Sequence, residues 1–188
     1  MTRIIAGFAG SLSLAVPKSG TRPTSDRVRE AIFSALESRG GLDGDRVLDL
    51  YAGSGALGLE SASRGASHVV LVERNQAAAR VAKANAAIVT RAAPSGLAPT
   101  IEVSTSTVAG YLAASRGEFD VVFLDPPYDV GETELGEALT ALVPRLAADA
   151  VVLVERSSRS PEPEWPEGLV PTRDRSYGET TLWWAARA

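Results

Sequence analysis

Asp125-Pro126-Pro127-Tyr128 is the stretch whose residue types could do chemistry. It follows Val121, Val122, Phe123 and Leu124, an apolar run with β-branched and aromatic character that reads as a buried strand. The prolines cannot continue a hydrogen-bonded ladder, and they bias Asp125 and Pro126 toward extended backbone. A carboxylate, a rigid run of carbonyls and an aromatic ring therefore meet at the carboxyl end of a strand, where open α/β sheets bind ligands. An exocyclic amine on a base or amide is a poor nucleophile, because its lone pair is delocalised into the π system. Asp125 can accept one of its N–H groups and the Pro126 carbonyl the other. Holding both hydrogens turns the nitrogen toward tetrahedral geometry and aims the lone pair. Tyr128 can stack on the ring, and an electrophile bound in line completes a transfer that depends mainly on positioning. The plainer alternative is a strand end followed by an exposed Pro-Pro turn. A cofactor site elsewhere in the chain separates the two readings.

The elements that would supply one lie upstream. Arg46–Tyr51 reads as a strand that runs into Ala52-Gly53-Ser54-Gly55-Ala56-Leu57-Gly58, which opens a helix. Glycines there let backbone approach a ligand closely and point helix N–H groups at it. A second strand, His68–Val72, ends at Glu73, 18 residues beyond Gly55. That is close to the offset of about 20 at which an acidic residue meets ribose hydroxyls in dinucleotide-type sites. A glycine turn alone is weak evidence, but strand, turn, helix, strand and acid in order is considerably stronger. A third strand at Ile101–Val103 precedes a polar turn, Ser104–Thr107, where an adenine ring would be met, although such turns also cap helices.

The other elements follow from periodicity. Arg3–Gly7 and Ser11–Val16 suggest a hairpin, and Pro17–Pro23 a loop. Thr24 or Ser25 caps a helix with Val28, Ala31, Ile32, Ala35 and Leu36 on its apolar face, leaving Arg27 and Arg29 free to face a partner. Gly40-Gly41 ends it. Asn75 caps a helix lined by Val81, Ala84, Ala87 and Ile88. A further helix carries Leu135, Ala138, Leu139, Leu142, Val143 and Leu146, and Ala150–Glu155 is a fifth strand. Leu169–Arg175 and Thr180–Ala185 close the chain as a hairpin, with Trp183 and Trp184 on opposite faces.

Composition narrows the chemistry. The 188 residues, 45% hydrophobic, suit one globular domain with a small appendage. The absence of cysteine excludes disulfides, thiolate metal sites and cysteine nucleophiles, including the usual route to methylating pyrimidine carbon 5. His68 is the only histidine and sits at a strand entrance, so no metal site is expected. No apolar run is long enough for a membrane span or a leader core, which makes the cytoplasm the expected location. The net charge is −4, yet residues 1–29 carry a local +4. A basic arm on an acidic body suggests a directed phosphate contact.

Taken together, the glycine turn from Asp49 to Gly58, Glu73 and Asp125-Pro126-Pro127-Tyr128 resemble class I S-adenosylmethionine-dependent amino-methyltransferases. Arg3-Ile4-Ile5-Ala6-Gly7 and the block from Thr21 to Glu30 resemble the opening of the RsmD family, which methylates the exocyclic N2 of one guanine, 966 in standard rRNA numbering, in bacterial 16S rRNA. The resemblance spans essentially the whole chain. It implies a Rossmann-like α/β fold: a seven-stranded, mostly parallel sheet with a C-terminal antiparallel hairpin, and a small N-terminal hairpin and helix extension. The extension would be residues 1–40, contacting RNA, and the methyltransferase domain residues 41–188. S-adenosylmethionine would meet Asp49, Ala52, Gly53, Ser54, Gly55, Glu73, Arg74, Ser106, Thr107 and Asp125. Asp125, Pro126 and Tyr128 would hold the guanine, looped out or flipped from any pairing. Arg3, Lys18, Arg22, Thr24, Arg27 and Arg29 would meet the RNA. The partner would be 16S rRNA, within the small ribosomal subunit or its assembly intermediate, and the enzyme a monomer. The family usually has glycine where Ala6 stands and a basic residue soon after Gly10, where Ser11-Leu12-Ser13 follow here.

Three other functions compete. Methylation of DNA adenine or cytosine, or of a protein glutamine amide, shares the chemistry. A nicotinamide oxidoreductase would use the glycine turn but leaves Asp125-Pro126-Pro127-Tyr128 unexplained. An RNA-binding assembly factor with a relict cofactor pocket would need neither Asp125 nor Tyr128.

Overall fold

A computed structural model describes residues 1–17 and 25–188. It has a seven-stranded sheet in the order β5 (Thr100–Ser104), β4 (His68–Val72), β3 (Arg46–Leu50), β6 (Phe119–Leu124), β7 (Leu146–Ser157), β9 (Thr180–Arg187), β8 (Leu169–Tyr177). The first five strands are parallel, and β9 pairs antiparallel with both β7 and β8. This is the expected mostly parallel sheet with a closing hairpin. Strand order reverses between β3 and β6, so a crevice opens beyond their carboxyl ends.

Helices cover both faces. Residues 4–14, α1 (Asp26–Ser38), α2 (Ala56–Ser63) and α3 (Gln76–Ala92) pack with Val121, Phe123, Leu153 and Trp184 in one core cluster. Helices α4 (Val108–Ala114) and α5 (Glu132–Leu142) pack with Val122, Leu124 and Val154 in the other, with Trp183 against it. The two tryptophans do divide between the faces. The strand after α5 starts earlier than expected: Leu146 is not a helix residue but the first of β7, after one 3-10 turn at Val143–Arg145.

Two helices are rotated relative to the apolar stripes read from sequence, for one reason. In α1 the buried residues are Val28, Arg29, Ile32, Phe33 and Leu36. Arg29 is wholly buried and donates to Thr2 Oγ1 (2.9 Å), the Arg3 carbonyl (2.8 Å) and Asp26 Oδ1 (2.6 Å). In α3 the buried face is Ala78, Ala79, Ala82, Asn85, Ala86 and Val89, while Ala84 and Ala87 are exposed. Asn85 accepts from the Ala15 N–H (2.9 Å) and donates to the carbonyls of Ala15 (2.9 Å) and Ser54 (3.0 Å). A buried polar side chain needs such partners, and periodicity of apolar residues cannot reveal them.

Most of those partners belong to the N-terminal segment. Only Thr2–Arg3 (β1) and Ser13–Leu14 (β2) pair as strands, far shorter than the expected hairpin. The rest is fastened to α2 instead. Buried Glu60 accepts from the N–H groups of Ile5 (2.6 Å) and Ala6 (3.0 Å), and Ser63 Oγ from that of Ala9 (2.9 Å). Gly7, at φ +82°, lies so close that a Cβ would fall 1.8 Å from the Ser63 carbonyl oxygen. Any side chain there would push the segment off α2.

Candidate functional site

Glu73, Tyr51, Asp125 and Glu155 stand in one row. The register pairs Val72 with Leu50, Leu50 with Leu124, and Leu124 with Val154, and these four are the next residues along their strands. All four line a cleft of about 790 Å³ beyond the carboxyl ends of the parallel strands. One end of it carries Asp49, Ala52, Gly53, Ser54, Glu73, Arg74, Ser106 and Thr107, and the other Asp125, Pro126, Pro127 and Tyr128. The separate stretches picked out in the sequence thus surround one space.

The Glu73 end is built from backbone. Gly55, at φ +82°, caps α2 in the left-handed region; it shapes the turn without lining the cleft. Gly58 lets α2 close on β3 and β4, since a Cβ would meet the Leu71 and Val69 side chains at 2.3 and 2.9 Å. Its N–H donates to Asp49 Oδ2 (2.9 Å). Glu73 accepts from the Gly53 N–H (2.9 Å) through one oxygen and the Asn75 N–H (2.7 Å) through the other. Each oxygen keeps a second lone pair, so a buried carboxylate held in this way can still accept from a ribose hydroxyl. Thr107 Oγ1 instead accepts from the Gly110 N–H (3.1 Å) as the cap of α4, while Ser104 and Ser106 share a hydroxyl contact (2.9 Å). A glycine turn, a buried acid with lone pairs to spare and this volume fit S-adenosylmethionine.

Carboxylates collect here. Burial pushes the Asp49 carboxyl up to about 7; the Gly58 N–H opposes this, and the charges of Asp125 and Glu73 add to it. Burial likewise pushes the Tyr51 phenol up to about 12. Tyr51 holds φ +65°, a left-handed conformation costly for a residue with a side chain and found where a site needs it.

At the other end the chain turns out of the sheet. Pro127 accepts from the Val130 N–H (3.0 Å), and the Tyr128 ring on this turn is 78% exposed. Arg156, from the end of β7, donates to the Val130 carbonyl (3.1 Å) and pairs with Glu132 at the start of α5. Arg74 and Asp129 form an ion pair (3.5 Å) between the two ends. Tyr51, Glu155 and Arg156 were not expected from sequence. The signal was their position at the carboxyl ends of strands, which holds whatever the motif.

A protein-family model described as "Conserved hypothetical protein 95" matches residues 2–186. The chain belongs to this family, the RsmD family. Among its relatives, YlbH of Bacillus subtilis is 36% identical over 184 residues, 95% of each chain. Ribosomal RNA small subunit methyltransferase D of Escherichia coli K12 is 34% identical over 180 residues, 94% of this chain and 85% of that one. The solved structure of yhhF from Escherichia coli superposes with a TM-score of 0.82 at 33% identity, covering 99% of this chain and 97% of that one.

The arginines expected at the RNA separate within this RsmD-family chain. Arg27 is exposed and lines the cleft with Ser25 and Val28. Arg29 is not available to a partner, because its guanidinium is enclosed against Asp26, Glu60 and the N-terminal segment. Arg3 is exposed away from the cleft lining. Lys18, Arg22 and Thr24 lie outside the described residues.

Proposed function

We propose that this protein is an rRNA methyltransferase that modifies the exocyclic N2 of a guanine in 16S rRNA, guanine 966 in standard numbering, within the small ribosomal subunit. The observation that carries this is the single cleft joining Gly53 and Glu73 to Asp125-Pro126-Pro127-Tyr128. S-adenosylmethionine is the cofactor and, when bound, supplies an electrophilic methyl group. Gly53 and Ser54 accommodate its methionine end, Glu73 accepts from its ribose, and Ser106 lies toward its adenine.

The remaining work belongs to the acceptor end. The Asp125 carboxylate and the Pro126 carbonyl each accept one N–H of the guanine amine. This fixes the nitrogen and turns its lone pair into the cleft. Tyr128 stacks on the base, which must leave any pairing to reach it. Once nitrogen has four bonds its proton is acidic, and Asp125 passes it to solvent. Positioning rather than a strong base supplies most of the rate. Arg27 meets the RNA backbone beside the cleft.

The experiment is transfer of a labelled methyl from S-adenosylmethionine to undermodified small subunits, with naked 16S rRNA alongside and the nucleoside identified by mass spectrometry. N2-methylguanosine is the expected product, formed faster on the particle. Cofactor binding without any transfer to either RNA would remove the substrate assignment.

A further inference from the structure

Asp125 has a second carboxylate at its side. Leu124 and Val154 pair in parallel register, so Asp125 and Glu155 lie level on strands about 4.8 Å apart. Side chains alternate along both strands. Phe123 and Leu153 belong to one core cluster, Leu124 and Val154 to the other. Asp125 precedes a proline and Glu155 lies within β7, so both stay extended and continue the Phe123 and Leu153 face. Both line the cleft on that face, where α1 brings Arg27. Each already interacts within the protein, so an incoming base joins or displaces that contact.

Guanine presents three hydrogens along one edge: two on N2 and one on the adjacent N1. Asp125 and the Pro126 carbonyl account for the N2 pair. The N1–H needs a third acceptor one atom further along the edge, and an ionised carboxylate can only accept. Resting on the guanine-N2 reading above, we propose that Glu155 accepts the N1–H of the target base and sets the selection for guanine. A base with a bare N1 would turn a lone pair toward the carboxylate, leaving it unpaired and repelled. That is the kind of mismatch a polar site rejects most strongly.

The test uses small subunits reconstituted on ligated 16S rRNA carrying guanosine or 2-aminopurine riboside at the target. 2-Aminopurine keeps the amine but has a bare N1. The wild-type protein is expected to favour guanosine by about 100-fold in kcat/KM. In Glu155→Gln the amide can donate to a bare N1, so the preference should fall to within about tenfold, with S-adenosylmethionine affinity unchanged. Glu155→Asp, which still only accepts, should keep the guanosine preference. An unchanged ratio in Glu155→Gln, whatever its absolute rate, would make Glu155 a structural residue and overturn the proposal. Equal wild-type rates on the two bases would do so without any variant. Failure of the wild-type protein to methylate the guanosine particle would instead remove the underlying reading, and the proposal with it.

Discussion

At the Glu73 end of the cleft, ligand-facing groups are fixed by backbone: both Glu73 oxygens accept main-chain N–H groups, and the Gly58 N–H holds Asp49. At the Tyr128 end, an exposed ring rides on a turn held by side chains, Arg156 on the Val130 carbonyl and Arg74 on Asp129. The first arrangement exists complete before any ligand arrives. On the proposed reading, the second presents an acceptor and a stacking surface, and an RNA base adds the remaining contacts. A cofactor common to many enzymes suits a rigid site, and the proposed base substrate suits one finished by its partner.

The sharpest way to break this contrast is at Asp125. Asp125→Ala should reduce methyl transfer about 100-fold or more while leaving S-adenosylmethionine affinity within about threefold by calorimetry. Equal loss of cofactor binding would place Asp125 at the rigid end.

The two arginines of α1 provide the next comparison. Arg29→Ala removes a buried charge from Asp26, Glu60 and the arm, and should cost about 3 kcal/mol in denaturant unfolding. Arg27→Ala should leave stability alone but weaken RNA binding and reduce its salt slope by about 1. An unchanged slope would return Arg27 to an ordinary solvated helix face.

Arg156→Met should lower kcat roughly tenfold with unchanged cofactor affinity, since a loosened turn misplaces Asp125 and Tyr128. Equal changes in kcat and cofactor affinity would show that the two ends are mechanically one.

The smallest effect lies at Asp49. Its carboxyl, at about 7 in the folded protein against 3.8 ordinarily, holds a proton more tightly when folded. Its stabilising contribution is full below about pH 4 and is lost as pH rises through about 7. Asp49→Asn keeps an acceptor for the Gly58 N–H without the charge. It should melt about 3 °C higher than wild type at pH 8, the gap closing by pH 4. A pH-independent gap would mean that Asp49 is already charged throughout this range.

Much of this architecture was legible in the sequence because motif and periodicity are local properties. Val121–Leu124 ending at Asp125, and Gly53 followed by Glu73, needed only strand patterns and turn residues. Arg29 and Asn85 were not legible: their burial depends on Arg3 and Ala15, which reach them across 26 and 70 residues. Glu155 reads as a strand end, but its place beside Asp125 depends on which strands are neighbours, and a linear pattern does not encode that.

The arm that Glu60, Ser63 and Asn85 fasten is synthesised before any of these three anchors. Its anchors are made some 54 to 70 residues later, and α2 must already be helical to present Glu60 and Ser63 on one side. The segment therefore emerges before the side chains that hold it exist. A nascent chain paused before residue 60 would lack all three of these anchors while already carrying the residues they hold.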